Sequence, residues 1–288
     1  MPVRNSAEGE VPFLIPGKIV DVPGRGEMFV RHHQHPDSSA PTLLLLHGWT
    51  ASCDLQFFAA YEELSKYFSI IGVDHRGHGR GLRPNVPVTL EDCADDAAAV
   101  ARELGATSVI TVGYSMGGPI SLLTAQRHPE LVSAMVLQAT ALEWSGTPRE
   151  RRKMRFIGPV SHIVGRPRVL RLFFKRTLPR GHETLRYVSW IIAENRRNDP
   201  WMIAEAGKAI ATFDARVFAS TLRKPTSYVL TLRDTLVLPH KQHALATAVN
   251  AQIVELDGDH MAPILMPREF AIATRQAVNL VVAAIQQR

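Results

Sequence analysis

Gly113-Tyr114-Ser115-Met116-Gly117, followed by Gly118, places a serine between two glycines at the spacing G-x-S-x-G. A serine becomes a useful nucleophile when a sharp strand-to-helix turn pushes its hydroxyl out of the sheet. Side chains two positions before and after such a turn would collide, so Gly113 and Gly117 read as steric requirements and Ser115 as a strained residue. The same turn aims the Met116 N–H and a helix N-terminus at the place where negative charge develops during attack on a carbonyl.

Such a hydroxyl needs a base, and the base needs an orienting carboxylate. Among the 12 histidines, His260 lies in Asp257-Gly258-Asp259-His260-Met261, after the last expected strand and before the last expected helix. His32, His33 and His35 follow an N-terminal hairpin and read as solvated loop residues. His128 precedes Pro129 and suits a helix C-terminus. His162, His182, His240 and His243 fall in an insertion or on helices. Asp234, in Leu232-Arg233-Asp234-Thr235-Leu236-Val237-Leu238-Pro239, is the assigned carboxylate and gives the chain order serine, acid, histidine. Glu143 and Asp259 stand as the alternatives. The second oxyanion donor is assigned to the backbone N–H of Trp49 in His47-Gly48-Trp49-Thr50, with His47 shaping that loop.

The elements that must hold these residues alternate. Short apolar runs at 42–46, 69–73, 108–112, 132–137, 227–231 and 253–256 read as buried strands. Helices are expected over 55–66, 90–104 (capped by Thr89, with Asp92 as the capping-box acid), 116–127 and 215–221, from His240, and from Arg268. Segments 18–22 and 28–32 form a hairpin about Gly24-Arg25-Gly26. The rhythm breaks over 144–212, which is helical in pattern and rich in arginine. This predicts an α/β domain from 1–143 and 213–288, with a mostly parallel sheet covered on both faces. A helical cap over 144–212 would sit above the C-terminal ends of the strands. The apolar residues of that insertion, among them Phe156, Ile157, Val160, Ile163, Leu170, Leu172, Phe173, Phe174, Trp190 and Trp201, are expected mostly to pack it onto the core, some lining an acyl pocket.

The chain has 288 residues, of which 45% are hydrophobic and 21% charged, which suits one globular α/β unit with an insertion. Cys53 and Cys93 make no disulfide framework and read as free thiols. Met1 to Pro12 are polar and lack a signal pattern, and no apolar run is long enough to span a membrane, so a cytoplasmic protein is expected. The net charge of +6 is concentrated. Arg149, Arg151, Arg152, Lys153, Arg155, Arg166, Arg168, Arg171, Lys175, Arg176 and Arg180 face the single acid Glu150 in that interval, leaving the rest slightly acidic. A solvated face is the default reading of this cluster. Contact with anionic lipid headgroups and binding of an anionic substrate group are the alternatives. No recognition motif accompanies the charge, so nucleic acid is not an expected partner. The sequence leaves monomer and homodimer both open.

Taken together, His47-Gly48-Trp49, Asp74-His75-Arg76-Gly77-His78-Gly79, the Ser115 motif, Asp234 and Gly258-Asp259-His260 resemble the α/β-hydrolase superfamily. The resemblance runs from about Lys18 to the C-terminus, the insertion excepted. It implies that the Asp74–Gly79 run is a structural loop, with His75 and His78 outside the chemistry. Relatives often carry Ser two residues after the second glycine of that run, where Gly81 stands here, preceded by Arg80. Members resembling epoxide hydrolases and haloalkane dehalogenases carry Asp at the elbow. Ser115 therefore points to acyl transfer on an ester, thioester or lactone, or to carbon–carbon cleavage of an activated ketone, without a cofactor. Perhydrolase-type side activity belongs to the same branch, and a non-catalytic ligand-binding protein on this fold is the reading from another class.

Overall fold

The computed structural model describes residues 9–148, 150 and 167–287. Its centre is made by the apolar runs. β3 (Thr42–Leu46), β4 (Ser69–Val73), β5 (Val109–Tyr114), β6 (Val132–Gln138) and β7 (Thr226–Thr231) are buried at nearly every residue. Alternation along β3 shows why. Leu44 and Leu46 face Ala94, Ala97 and Ala101 of α2 (Leu90–Glu103) and Ile120 of α3 (Gly117–Arg127). Leu43 and Leu45 face Phe57 and Tyr61 of α1 (Cys53–Ser65) and Phe270 and Val281 of the last helix. A strand covered on both sides has no polar face, hence the continuous apolar run.

β1 (Gly17–Val22) and β2 (Gly26–His33) form the expected hairpin, and β2 also pairs antiparallel with β4. With β8 (Gln252–Leu256) the eight strands run in the order β1-β2-β4-β3-β5-β6-β7-β8, and all pairs from β4 onward are parallel. The chain leaves β3 toward one side of the sheet and returns to place β5 on the other. Loops after β3 and β5 therefore emerge side by side at the switch point, where ligands of open α/β sheets bind.

Local signals mostly set the ends. The Thr89 hydroxyl accepts the Asp92 N–H at 3.0 Å and donates to the Asp92 carboxylate at 2.8 Å, so the reciprocal contact runs through the hydroxyl. Helix α1 begins two residues earlier than expected because Ser52 caps it, accepting the Leu55 N–H. The helix expected over 215–221 shrinks to a 3-10 turn at Ala219–Thr221. Its start is taken by an extended bridge, with Asp214 paired to Glu143 and the Ala215 N–H donating to Leu142 O. His33 ends β2 and is no solvated loop residue: its Nε2 meets Ser65 O at 3.0 Å, and His35 Nε2 meets Lys66 O at 3.2 Å, both at the carbonyl end of α1.

Between β6 and β7 the described residues form α4 (Pro167–Thr177), a 3-10 turn (Glu183–Tyr187), α5 (Val188–Asn195) and α6 (Pro200–Thr212). Phe174 and Leu178 pack with Trp190 and Ile191 of α5 against Leu55 and Phe58 of α1, with Leu170 and Phe173 at the edge. Burying side chains of this size is worth ~1.5–3 kcal/mol each. Leu172 and Trp201 depart from the expected packing and are about half exposed. Phe156, Ile157, Val160 and Ile163 lie outside the described residues, as does His162. After β7 come α7 (Pro239–Ala248), a short α8 (Ala262–Leu265) and α9 (Pro267–Gln286). Both cysteines are buried and free.

Candidate active site

Ser115 follows β5 directly and has φ 51°, a left-handed conformation that a β-substituted residue keeps only when its surroundings hold it. Its N–H donates to Gln138 O at 2.9 Å, and the Gly118 N–H donates to Ser115 O at 2.9 Å. The flanking glycines are close-approach positions. A Cβ on Gly113 would stand 2.2 Å from Gly117 O, and one on Gly117 would stand 2.0 Å from Leu46 O. Any side chain there would push β3, β5 and α3 apart.

His260 comes from the loop after β8, and Asp234 from the loop after β7. His260 Nε2 lies 2.9 Å from Ser115 Oγ, and His260 Nδ1 lies 2.7 Å from Asp234 Oδ2. Asp234 is buried, its Oδ1 accepting the N–H groups of Leu236 and Val237 at 2.9 Å each and its Oδ2 accepting the Thr231 hydroxyl at 2.9 Å. Burial pushes its carboxyl up. The hydrogen bond and charge of His260, with the two backbone donors, outweigh that and hold it below the usual range. An ionised carboxylate can only accept, so His260 carries its proton on Nδ1 and turns the Nε2 lone pair toward the Ser115 hydroxyl. The Tyr114 hydroxyl donates to His260 O at 3.1 Å, fixing the loop from below. Neither alternative acid reaches the imidazole. Glu143 meets Lys241 Nζ at 2.9 Å, and Asp259 accepts the Met261 N–H at 2.8 Å.

The loop after β3 closes against the serine: a Cβ on Gly48 would stand 3.3 Å from Ser115 Cβ. His47 is fully buried. Its Nε2 accepts the His75 N–H at 2.9 Å, which leaves Nδ1–H to donate to Gly48 O at 2.7 Å. The carbonyl it holds belongs to the peptide whose N–H is that of Trp49. Neither the Trp49 nor the Met116 N–H meets a backbone acceptor among the described residues. His75 and His78 are buried away from this relay. Burial, with a neighbouring imidazole or guanidinium adding to it, pushes them down to about 3 and about 4. Asp74 anchors the same loop, accepting the Cys53 and Arg80 N–H groups at 2.7 Å each. Gly81 is required there, since a Cβ would stand 2.2 Å from His75 O.

Arg168, Arg171, Lys175, Arg176 and Arg180 of the basic cluster are exposed. Arg149, Arg151, Arg152, Lys153, Arg155 and Arg166 lie outside the described residues. Among the described residues no group of His, Cys, Asp or Glu is placed to hold a metal ion, and no helix is long and apolar enough to cross a membrane. Sequence reasoning missed Asn198, whose amide bridges two loops of the site. No local motif announces it, because its partners Thr50 and Gly79 lie far away in the chain.

An eight-stranded, mostly parallel sheet with helices on both faces and these loops at its C-terminal edge is the α/β-hydrolase fold. A family model described as alpha/beta hydrolase fold matches residues 41–160. The chain is 26% identical over 233 residues to a pimeloyl-[acyl-carrier protein] methyl ester esterase of Xanthomonas campestris, a match covering 78% of this chain and 89% of that protein. It is 37% identical over 98 residues to a 2-(acetamidomethylene)succinate hydrolase of Mesorhizobium japonicum, covering 34% of this chain and only 35% of that relative's length. Among solved structures, an esterase from Exiguobacterium antarcticum superimposes with a TM-score of 0.77 at 19% identity, covering 92% of this chain and 99% of the other. The chain thus has the α/β-hydrolase fold, and its matched stretches are similar to esterases and other hydrolases.

Proposed function

We propose that the protein is a serine hydrolase that cleaves carboxylic esters with a hydrophobic acyl part through an acyl-enzyme. The observation that carries this reading is the relay of Ser115 Oγ, His260 and buried Asp234 at 2.9 and 2.7 Å. His260 Nε2 takes the Ser115 proton as Oγ attacks the ester carbonyl. The Trp49 and Met116 N–H groups receive the developing oxyanion. Protonated His260 gives its proton to the departing alcohol, then activates the water that releases the acid. Asp234 holds the imidazole tautomer throughout and stabilises its charge. The methyl ester esterase of Xanthomonas campestris, alike over most of both chains, supports ester over carbon–carbon bonds as the scissile link. A bifunctional esterase/perhydrolase of Acinetobacter calcoaceticus, 31% identical over 125 residues that cover 38% of this chain and 44% of that relative, points the same way. The 144–212 insertion serves as a cap over the acyl site, in a cytoplasmic protein.

The test is labelling with a fluorophosphonate probe, location of the adduct by peptide mass spectrometry, and turnover of p-nitrophenyl esters of increasing chain length. Labelling at Ser115 with ester turnover is expected. Ser115→Ala abolishes both and leaves the melting temperature unchanged. A vinylogous diketone cleaved while esters are ignored would shift the reading to a carbon–carbon hydrolase. A folded chain that is neither labelled nor active would make it a binding protein.

A further inference from the structure

The loop that carries the Trp49 N–H is a turn under strain. The Ala51 N–H donates to Gly48 O at 3.3 Å, closing a four-residue turn with Thr50 in its third position. Thr50 has φ 63°, the left-handed region that glycine usually supplies at that position and that costs a β-branched residue ~1–3 kcal/mol. Such a residue relaxes unless something outside the turn holds it. From the core side, His47 holds Gly48 O. From the other side the restraint comes from the insertion: Asn198 Nδ2 donates to Thr50 O at 2.6 Å, and Asn198 Oδ1 accepts the Gly79 N–H at 2.9 Å. A carbonyl can only accept and an N–H only donate, so the amide has one orientation that satisfies both.

The contact is part of a seam. The Asp199 N–H donates to Gly77 O at 2.8 Å, and the Asp199 side chain caps α6 by accepting the Met202 N–H at 2.9 Å. The Trp49 indole N–H donates to Ile203 O at 2.8 Å. Met202 lies so close that a Cβ on Gly77 would stand 2.2 Å from Met202 Cβ. The first turn of α6 is thus seated on both loops beside Ser115.

We propose that Asn198 is a positioning residue of the oxyanion hole: by holding the Thr50 carbonyl it keeps the strained turn in the conformation that aims the Trp49 N–H at the developing oxyanion. The inference rests on the serine-hydrolase reading above. Residues 198–203 are then a fixed part of the site, and any opening of the insertion leaves them seated.

The experiment compares Asn198→Ala and Asn198→Asp with the native chain on a p-nitrophenyl ester, with active sites counted by fluorophosphonate titration. Asp keeps an acceptor for Gly79 and faces Thr50 O with a carboxylate oxygen that cannot donate, so it breaks the bond while keeping the side-chain shape if Ala folds poorly. The expected result is a fall in kcat of roughly 10- to 100-fold per active site with KM little changed, since misplacement acts on the transition state. Affinity for a trifluoromethyl ketone, whose adduct carries the oxyanion, falls by a similar factor. Thr50→Gly in the Asn198→Ala background restores most of kcat, because glycine holds positive φ without an external restraint. Native kcat in both Asn198 variants, a loss confined to KM, or no recovery with Thr50→Gly overturns the proposal. An unlabelled, inactive native chain removes the serine-hydrolase reading and this inference together, while a labelled, active native chain with unaffected variants removes the inference alone.

Discussion

Asp234 touches the imidazole, and Glu143 is occupied by Lys241. Replacing Asp234 with Asn presents an amide N–H to Nδ1, which moves the imidazole proton to Nε2 and leaves no base facing Ser115. On the proposed mechanism Asp234→Asn lowers kcat by roughly 10³–10⁴. Glu143→Gln leaves kcat within about twofold, because it removes no transition-state contact. Steady-state rates on one p-nitrophenyl ester check both, and a severe Glu143 effect with a mild Asp234 one would move the acid. Ser115, Asp234 and His260 were legible because each sits at a strand end in a short motif, and strand ends converge in this topology. Asn198 was not legible. Its role depends on a carbonyl and an N–H brought to it by tertiary packing, and nothing in the residues around it marks that.

At the scale of elements, apolar runs and caps were readable, since the period and the capping residues act locally. The join between insertion and core was not. Arg80, between Gly79 and Gly81, is one of its ties. Its backbone N–H serves Asp74, while its guanidinium forks onto both Glu194 oxygens of α5 at 2.7 and 2.9 Å. Asp54 of α1 adds a weaker contact to the same guanidinium at 3.4 Å. Glu194 is almost completely buried and Arg80 about a quarter exposed, so the pair is only partly screened. Glu194→Gln removes the buried charge that Arg80 shares with the half-exposed Arg197, and leaves Arg80 with its distant partner. Fully buried pairs lose ~3–5 kcal/mol in this way. The partial exposure of Arg80 brings the expected loss to about 2 kcal/mol. Urea unfolding of the purified variant measures it, and an unchanged midpoint would mean that α5 is held by the Phe58–Trp190 contact and its neighbours alone.

Across the whole molecule, the interior beside the site stores uncharged imidazoles, and that makes stability depend on pH. His47, His75 and His78 pack with ring centroids 4.3 and 5.2 Å from His47. Burial, with neighbouring imidazoles adding to it, holds His47 well below its ordinary value. His75 is lowered to about 3 and His78 to about 4. All three titrate near 6.5 in the unfolded chain. Their stabilisation is therefore complete above about pH 6.5 and is lost as pH falls through that value toward the folded ones, because only the unfolded state takes up the protons. Asp74 opposes them. Burial raises it to about 6, so the folded state binds its proton first, and its contribution is complete below its unfolded value and lost as pH rises through about 6. Three imidazoles against one carboxylate leave a net loss on acidification, each uncompensated proton worth roughly 1.4 kcal/mol per pH unit. Below about pH 4 the loss steepens as Asp95, held at about 2 mainly by its Arg127 hydrogen bond, and Asp234 begin to be protonated in the unfolded chain. The melting temperature should be flat between about pH 7 and pH 8, below the range where the unfolded chain ionises the buried thiols, and fall steadily from pH 6.5 to pH 4. His78→Asn keeps a donor for Arg76 O, as Nδ1 provides at 2.9 Å, and removes one titrating group. Its free-energy profile should be shallower by roughly 1.4 kcal/mol per pH unit across that interval. Parallel profiles for the variant and the native chain would mean that His78 takes up its proton in the folded state as readily as in the unfolded one.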